Sequence, residues 1–172
     1  MNKKIFVGID PGSKGFITIM CDAGMKFYAI PTIGGVIDVK ELGNIFKEIS
    51  DFARKEGCEV FCVIEKIHAL YSVSAKSTFK LAYVCGMLEA FIVAEGFSYR
   101  MVPPKEWQSQ MFKGLDMIKK SGTKKIDTKA MSVLAAKRLF PDVDLRKTER
   151  CRNPDDNKSD SLLMCYFAKL NS

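Results

Sequence analysis

The stretch IFVGIDPGSKG, residues 5–15, decides the fold. Its first half, residues 5–9, is a short apolar run with β-branched side chains, which predicts a buried strand. Its second half contains one proline and two glycines, which predict a tight turn. Asp10 stands where the strand meets the turn. The stretch therefore predicts a buried strand that ends in a carboxylate.

The segments that follow extend this strand into a sheet. Residues 16–21 and 26–30 are strand-like runs joined by turn residues, so the first three strands are predicted to form an antiparallel meander. Residues 38–56 change to helical spacing, with Asp38 as the predicted N-cap and Gly57 as the predicted stop.

The second half of the chain predicts the other side of the sheet. Residues 60–64 form a fourth strand, ended by Glu65, and a strand that follows a long helix predicts a crossover and parallel pairing with the first strand. The remaining predicted elements are a helix at 78–95, a strand at 98–102, and helices at 127–140 and 154–170. We predict an α/β fold with a mixed five-stranded sheet, three strands antiparallel and two parallel, in one domain over residues 1–172.

Composition restricts the class of protein. The chain of 172 residues carries a net charge of +7, with much of the excess between residues 100 and 152. A net positive charge favours an anionic partner. Basic residues on an ordinary solvated surface would explain the same charge equally well. Residues 113–125 lack apolar periodicity and contain two glycines, which predicts a mobile basic loop.

Cysteine and hydropathy patterns predict a location inside the cell. The six cysteines form no Cys-x-x-Cys pair, and with a single histidine a zinc site is not expected. The apolar stretch 81–94 contains Glu89 and is shorter than a membrane span, and the N-terminal apolar run is too short for a signal peptide. We expect a cytoplasmic protein, in a bacterial cell or an infected host, with no membrane partner.

Four acids stand at positions that predict a common site. Asp10 and Glu65 end strands predicted to be parallel neighbours, so both belong at one edge of the sheet. Asp156 and Asp160 are four residues apart on one helix face, and the same stripe continues as apolar side chains that face the sheet. Four converging carboxylates suit hard divalent cations, and two ions roughly 3.5–4 Å apart suit hydrolysis of a phosphodiester.

Each acid alone has an ordinary explanation. An Asp before Pro-Gly is often a turn residue, a Glu at a strand end is often solvated, and acids in a first helical turn complement the helix dipole. Their order and placement together favour a site.

At this level of detail the chain resembles the RuvC-type Holliday-junction resolvases, in a phage-associated branch of the ribonuclease H-like superfamily. The resemblance covers nearly the whole chain, in the family's order, and is carried by residues 8–15, 63–66, 102–107, 135–141, 146–152 and 156–163.

The resemblance implies four metal-binding catalytic groups, carried here onto Asp10, Glu65, Asp156 and Asp160. It implies two Mg²⁺ ions per active site, with Mn²⁺ as a substitute. The chain departs from the family around the third group. In many relatives that group lies three residues before the fourth, where this chain has Asn157, and in the related branch a histidine often precedes it, where this chain has an aspartate. The third ligand is therefore open among residues 155–157, with Asp156 preferred over Asp155 and Asn157.

The resemblance also implies a homodimer that cuts branched DNA, because two symmetric cuts resolve a four-way junction. The apolar helix 78–95 is the predicted interface, with burial in the core as the alternative. Leu70 or Tyr71 is predicted to wedge into the junction by stacking, unless the side chain folds back onto the core. The basic residues Lys105, Lys124 and Lys125 are predicted to contact backbone phosphates, with simple solvation as the alternative.

Other functions share parts of this pattern. A YqgF-like RNase has the same fold and predicts RNA substrates without a preference for junctions. A junction-binding protein that has lost catalysis remains open because of Asn157. An actin-like or sugar-kinase-like ATPase needs two such domains, and this chain is too short for them.

Overall fold

The computed structural model describes residues 3–67 and 74–172. The strands in this part of the chain are β1 (Lys4–Ile9), β2 (Phe16–Cys21), β3 (Gly24–Ala29), β4 (Thr32–Ile33), β5 (Val36–Ile37), β6 (Glu59–Glu65) and β7 (Ser98–Val102). The helices are α1 (Val39–Glu56), α2 (Ala75–Ala94), α3 (Pro104–Met111), α4 (Thr128–Leu139) and α5 (Asp156–Leu170).

A mixed sheet in the order β3-β2-β1-β6-β7 forms the centre of the fold. β1 pairs antiparallel with β2, and β2 pairs antiparallel with β3. On the other side of β1, β6 runs parallel to it and β7 runs parallel to β6. The predicted ribonuclease H-like sheet, three antiparallel strands plus two parallel ones, is confirmed.

Several element boundaries differ from the sequence prediction. The N-cap Ser74 accepts a hydrogen bond from the Ser77 amide, so α2 begins three residues before the predicted start at 78. The last helix begins at Asp156 rather than at Pro154, because Asp155 is its N-cap and accepts from the Lys158 amide at 3.0 Å.

Two elements were missed by the sequence prediction. The hairpin β4–β5 turns at Gly34 and Gly35, both at positive φ, and its strands are too short to show a period. Helix α3 was missed because two consecutive prolines, Pro103 and Pro104, follow the predicted strand 98–102 and suit the end of a strand. A proline also suits the first helical turn, and Pro104 occupies it here.

The two faces of the sheet bury separate apolar cores, since side chains alternate along each strand. Ile5, Val7 and Ile9 of β1 are fully buried on the face covered by α1 and α2. The opposite face is covered by α3, α4 and α5, and its core includes Trp107 and residues of α5.

The backbone of helix α5 packs directly against Gly8 of β1. A Cβ atom at Gly8 would lie 2.2 Å from both the Cys165 backbone nitrogen and the Ser161 carbonyl oxygen. The buried Ser161 hydroxyl lies 2.7 Å from the hydroxyl of Thr18, the residue of β2 opposite Gly8. A side chain at Gly8 would therefore push away the helix that carries two of the predicted site residues.

For helix α2, the sequence analysis gave burial in the core as the alternative to an interface. Burial in the core is wrong for most of its surface, and the interface stays a prediction. Val84, Leu88 and Ile92 form a single buried stripe against the sheet, while Phe79 and Tyr83 are 72% and 53% exposed. The helix has 20 residues, of which the most apolar 18 have a mean hydropathy of 1.4 and are 17% buried. By length and composition alone it is sufficient to cross a membrane, so the expectation that the apolar stretch is too short was wrong for the helix.

The contact above Gly8 predicts a large and local loss of stability. The substitution Gly8→Ala should lower the free energy of unfolding by about 3 kcal/mol or more, because backbone atoms of α5 cannot yield as a side chain can. Lys40→Ala, at an exposed position in the first turn of α1, is the control and should change stability little. Urea denaturation followed by circular dichroism measures both, and equal stability of the two variants would contradict this packing.

Candidate functional site

Asp10 is held at the sheet edge by the backbone of its own turn. Its amide donates to the Phe16 carbonyl oxygen at 3.0 Å, and the Gly15 amide donates to the Gly12 carbonyl oxygen at 3.0 Å. A Cβ at Gly15 would lie 2.0 Å from the Asp10 carbonyl oxygen, so the turn closes this tightly only with glycine. The turn residues of the opening stretch thus position the carboxylate.

Glu65 lies level with Asp10 on the neighbouring strand. Ile9 pairs with Ile64 in the parallel register of β1 and β6, so the next residue of each strand is an acid at the same edge. The buried Trp107 of α3 donates its Nε1–H to Glu65 Oε1 at 3.1 Å. The strand ends thus bring together the first two predicted acids, and α3 orients one of them.

Helix α5 brings the other two acids to this edge. The charges of Asp160, Glu65 and Asp156 raise the pKa of Asp10, and those of Glu65 and Asp156 raise the pKa of Asp160, so the four predicted carboxylates lie near one another. Asp155 uses its side chain to cap α5. Asp156, in the first turn, does not cap the helix and therefore stays the preferred candidate for the third ligand, although it forms an ion pair with Lys129.

Burial and mutual repulsion raise the pKa of the acids. Burial raises the pKa of Asp10 well above its usual range, and the charges of Asp160, Glu65, Asp156 and Asp155 raise it further. Burial also raises the pKa of Asp160 to about 7, with contributions from the Glu65 and Asp156 charges. A nearby hydroxyl, that of Ser132, partly offsets this rise. The pKa of Glu65 is raised by burial and partly lowered by the Trp107 hydrogen bond.

The first turn of α4 contributes residues that sequence reasoning missed. Lys129 Nζ lies 2.6 Å from Asp156 Oδ2, and its pKa is raised by this bond and by the charges of Asp160 and Asp10. Ser132, three residues later on the same helix face, is buried beside Asp160. The only sequence signal for these two residues was their spacing: Lys129 and Ser132 are three residues apart, so they share one face of the helix. That spacing does not reveal which part of the protein this face packs against.

A divalent metal fits the donor set of this site. All the candidate ligands are carboxylates, the oxygen donors that Mg²⁺ and Mn²⁺ prefer. In the described part of the chain, Asp160 Oδ1 and the neighbouring Ser132 Oγ are both buried without a hydrogen-bond partner; either a cation or a small rotation of the Ser132 hydroxyl would satisfy the carboxylate oxygen. Within residues 3–67 and 74–172, however, no three His, Cys, Asp or Glu side chains already stand in a metal-binding arrangement. The acids lie at one edge of the sheet, but their oxygens do not yet surround a single metal position.

The residues predicted to bind DNA lie in different places. Lys105 is exposed on the first turn of α3 and lines a groove of about 480 Å³ between α3 and the segment after it. Lys124 and Lys125 are exposed in the segment between α3 and α4, where the Lys120 amide donates to the Lys125 carbonyl oxygen at 2.9 Å. Leu70 and Tyr71 lie outside the described residues.

The raised pKa values predict how stability depends on pH. Because the folded state holds protons that the unfolded state releases, stability should fall as pH rises from about 4 to about 7 in EDTA. The variant Asp160→Asn should lose less stability over this window and exceed the parent at pH 8. Asp142→Asn, at an exposed position, serves as the control. Urea midpoints from pH 4 to 8 measure the effect, and parallel curves for parent and Asp160→Asn would rule out a protonated Asp160.

By sequence the chain matches no family model and no curated protein. By structure it is similar to RuvC of Thermus thermophilus in complex with Holliday junction substrate, with a TM-score of 0.58 and 11% identity over 98% of this chain and 96% of that one. A second T. thermophilus RuvC structure gives a TM-score of 0.53 and 13% identity over 96% of each chain.

The yeast mitochondrial Holliday junction resolvase Ydc2 gives a TM-score of 0.52 and 15% identity, over 95% of this chain and 76% of that one. At such low identity these similarities establish the fold and leave the activity open. They confirm the resemblance drawn from the sequence motifs at the level of the fold. The chain has the ribonuclease H-like fold of the RuvC-type Holliday-junction resolvases.

Proposed function

We propose that this protein is a metal-dependent endonuclease that resolves Holliday junctions and other branched DNA inside the cell. One observation carries the proposal: acids from β1, β6 and α5 share an electrostatic environment at the carboxyl ends of two parallel strands. Repelling carboxylates raise one another's pKa and are costly to gather unless a cation lies among them. Their arrangement on a RuvC-type fold favours hydrolysis of a phosphodiester.

The proposed metal ligands are Asp10, Glu65, Asp156 and Asp160, with Mg²⁺ as the cation, two ions per site, and Mn²⁺ as a substitute. When bound, the ions would activate a water molecule and stabilise the oxygen that leaves the phosphorus. The chain's own residues prepare the site. The Trp107 indole fixes the carboxylate of Glu65, and the turn glycines fix Asp10.

The proposed substrate is DNA. The net charge of +7 favours a polyanion, and one of the structures similar to this chain holds Holliday junction substrate. We propose that Lys105, Lys124 and Lys125 contact backbone phosphates, which their exposure permits. Leu70 and Tyr71 remain the proposed wedge into the junction.

Replacing one acid should separate binding from cutting. Asp10→Asn should reduce the nicking rate of a labelled four-way DNA junction in Mg²⁺ by at least about 100-fold, because the charge needed to hold the cations is lost. Junction affinity should change less than about threefold. Asp22→Asn, at an exposed aspartate in the β2–β3 turn, is the control and should cut normally. Normal cutting by Asp10→Asn would overturn the site assignment.

The same assay distinguishes the rival functions. A structured RNA of equal length, offered to the parent protein, should be cut far more slowly than the junction. Preferential cutting of the RNA would favour the RNase alternative. Junction binding without cutting in either Mg²⁺ or Mn²⁺ would favour a binding protein that has lost catalysis.

We propose further that the active form is a homodimer formed through α2. A second copy is the proposed partner because the exposed face of this helix carries aromatic side chains beside small ones. Phe79 and Tyr83 stack with their ring centroids 6.5 Å apart, and Ala82, Gly86 and Ala90 are exposed at four-residue intervals. Such a face permits close approach of an identical helix, and large exposed apolar patches mark interfaces.

Charge placed on this face should prevent assembly. The double variant Phe79→Glu/Tyr83→Glu should sediment as a monomer at concentrations where the parent sediments as a dimer. Its circular dichroism spectrum should be unchanged, because neither side chain belongs to the buried stripe of α2. Ile33→Glu in β4, at a residue that is 71% exposed, is the control and should remain dimeric. Analytical ultracentrifugation decides, and a monomeric parent protein would refute the dimer.

A further inference from the structure

Lys129 places a positive charge against the cluster of acids at the sheet edge. Its Nζ atom lies 2.6 Å from Asp156 Oδ2. Asp156 is the preferred third metal ligand, so one of the proposed ligands is already neutralised by the chain itself. We propose that Lys129 is a positioning residue that holds Asp156 in the metal-free protein and competes with the divalent cation for it. This inference rests on the proposed function, because it requires the acids to bind a cation.

The position of Lys129 in its helix supports this role. Lys129 lies in the first turn of α4, where the helix dipole disfavours a cation, and that turn contains no acid. Its ion-pair partner lies on α5 instead, in the first turn of the helix that carries two of the acids. The tertiary structure therefore supplies the electrostatic reason for a lysine at this position.

The ion pair is accessible enough to be exchanged. The Lys129 side chain is 70% exposed, whereas that of Asp156 is 28% exposed. An exposed pair of this kind contributes little net stability because water screens it. A divalent cation can therefore displace the ammonium group at small cost, while the pair still restrains the carboxylate until the metal arrives.

Metal titration without DNA tests the competition directly. Lys129→Met removes the charge and keeps most of the side-chain length. By calorimetry, it should bind Mn²⁺ roughly two- to tenfold more tightly than the parent, since one competing cation is gone. Lys129→Arg keeps the charge and should remain close to the parent affinity. Lys137→Met in the last turn of the same helix, at an exposed position, is the matched control and should leave the affinity unchanged.

Melting temperatures with and without metal give a second measurement. Without metal, Lys129→Met should melt close to the parent at pH 8, because water screens the exposed pair. Saturating Mn²⁺ should then raise its melting temperature by more than it raises that of the parent.

The outcomes separate this inference from the proposed function. Unchanged or weaker Mn²⁺ binding by Lys129→Met, with normal binding by the parent, overturns the competition and leaves the nuclease proposal intact. Tighter binding by Lys137→Met as well would show a general charge effect and would also overturn it. Absence of Mn²⁺ binding in every variant overturns both proposals.

Discussion

The close approach of α5 to β1 is the contact on which the site depends. Two site residues are carried by strands and two by a helix, and they meet only because the helix backbone lies directly on the sheet. Gly8 supplies the space, and the hydrogen bond between Ser161 and Thr18 joins the two layers. Since close-packed interiors transmit such constraints, a change of one methyl group at Gly8 alters the position of acids at the sheet edge.

The acidic edge illustrates how stability and function oppose each other. Burial and repulsion raise the pKa of Asp10 and bring that of Asp160 to about 7, so the metal-free site is electrostatically unfavourable at neutral pH. Side chains from α3 and α4 offset part of the repulsion among the acids. The Trp107 indole donates to Glu65, and Lys129 pairs with Asp156. In the proposed function, a cation bound by the acids would reduce the remaining repulsion, and metal binding would then stabilise the fold.

Helix α2 contributes less of its surface to the core than its apolar sequence suggests. Only a narrow stripe packs on the sheet, and the remaining apolar surface faces solvent in the single chain. Exposed aromatic area of this kind is unfavourable in water, which supports the choice of this face as the proposed dimer interface. The face opposite α2 is covered by three helices that complete the site. The two faces of one sheet thus have separate roles, one in the proposed assembly and one in the proposed chemistry.

The sequence by itself determined the sheet and the order of the acids. Alternation, turn residues and helical spacing are local properties, so residues 5–15 predicted both the first strand and Asp10 at its end. The parallel pairing that places Glu65 beside Asp10 followed from the crossover rule and is confirmed by the register. The short α3 and the hairpin β4–β5 were missed because elements of that length carry too few residues for a period.

Only the tertiary structure decided which distant side chains surround the acids. Nothing local in the sequence pairs Trp107 with Glu65 or Lys129 with Asp156, because each pair depends on how a helix packs beside the site. The exposure of α2 was also undetermined, since an apolar helix suits a core and an interface equally well. Periodicity reports which side of an element is apolar, whereas packing between layers decides what that side meets.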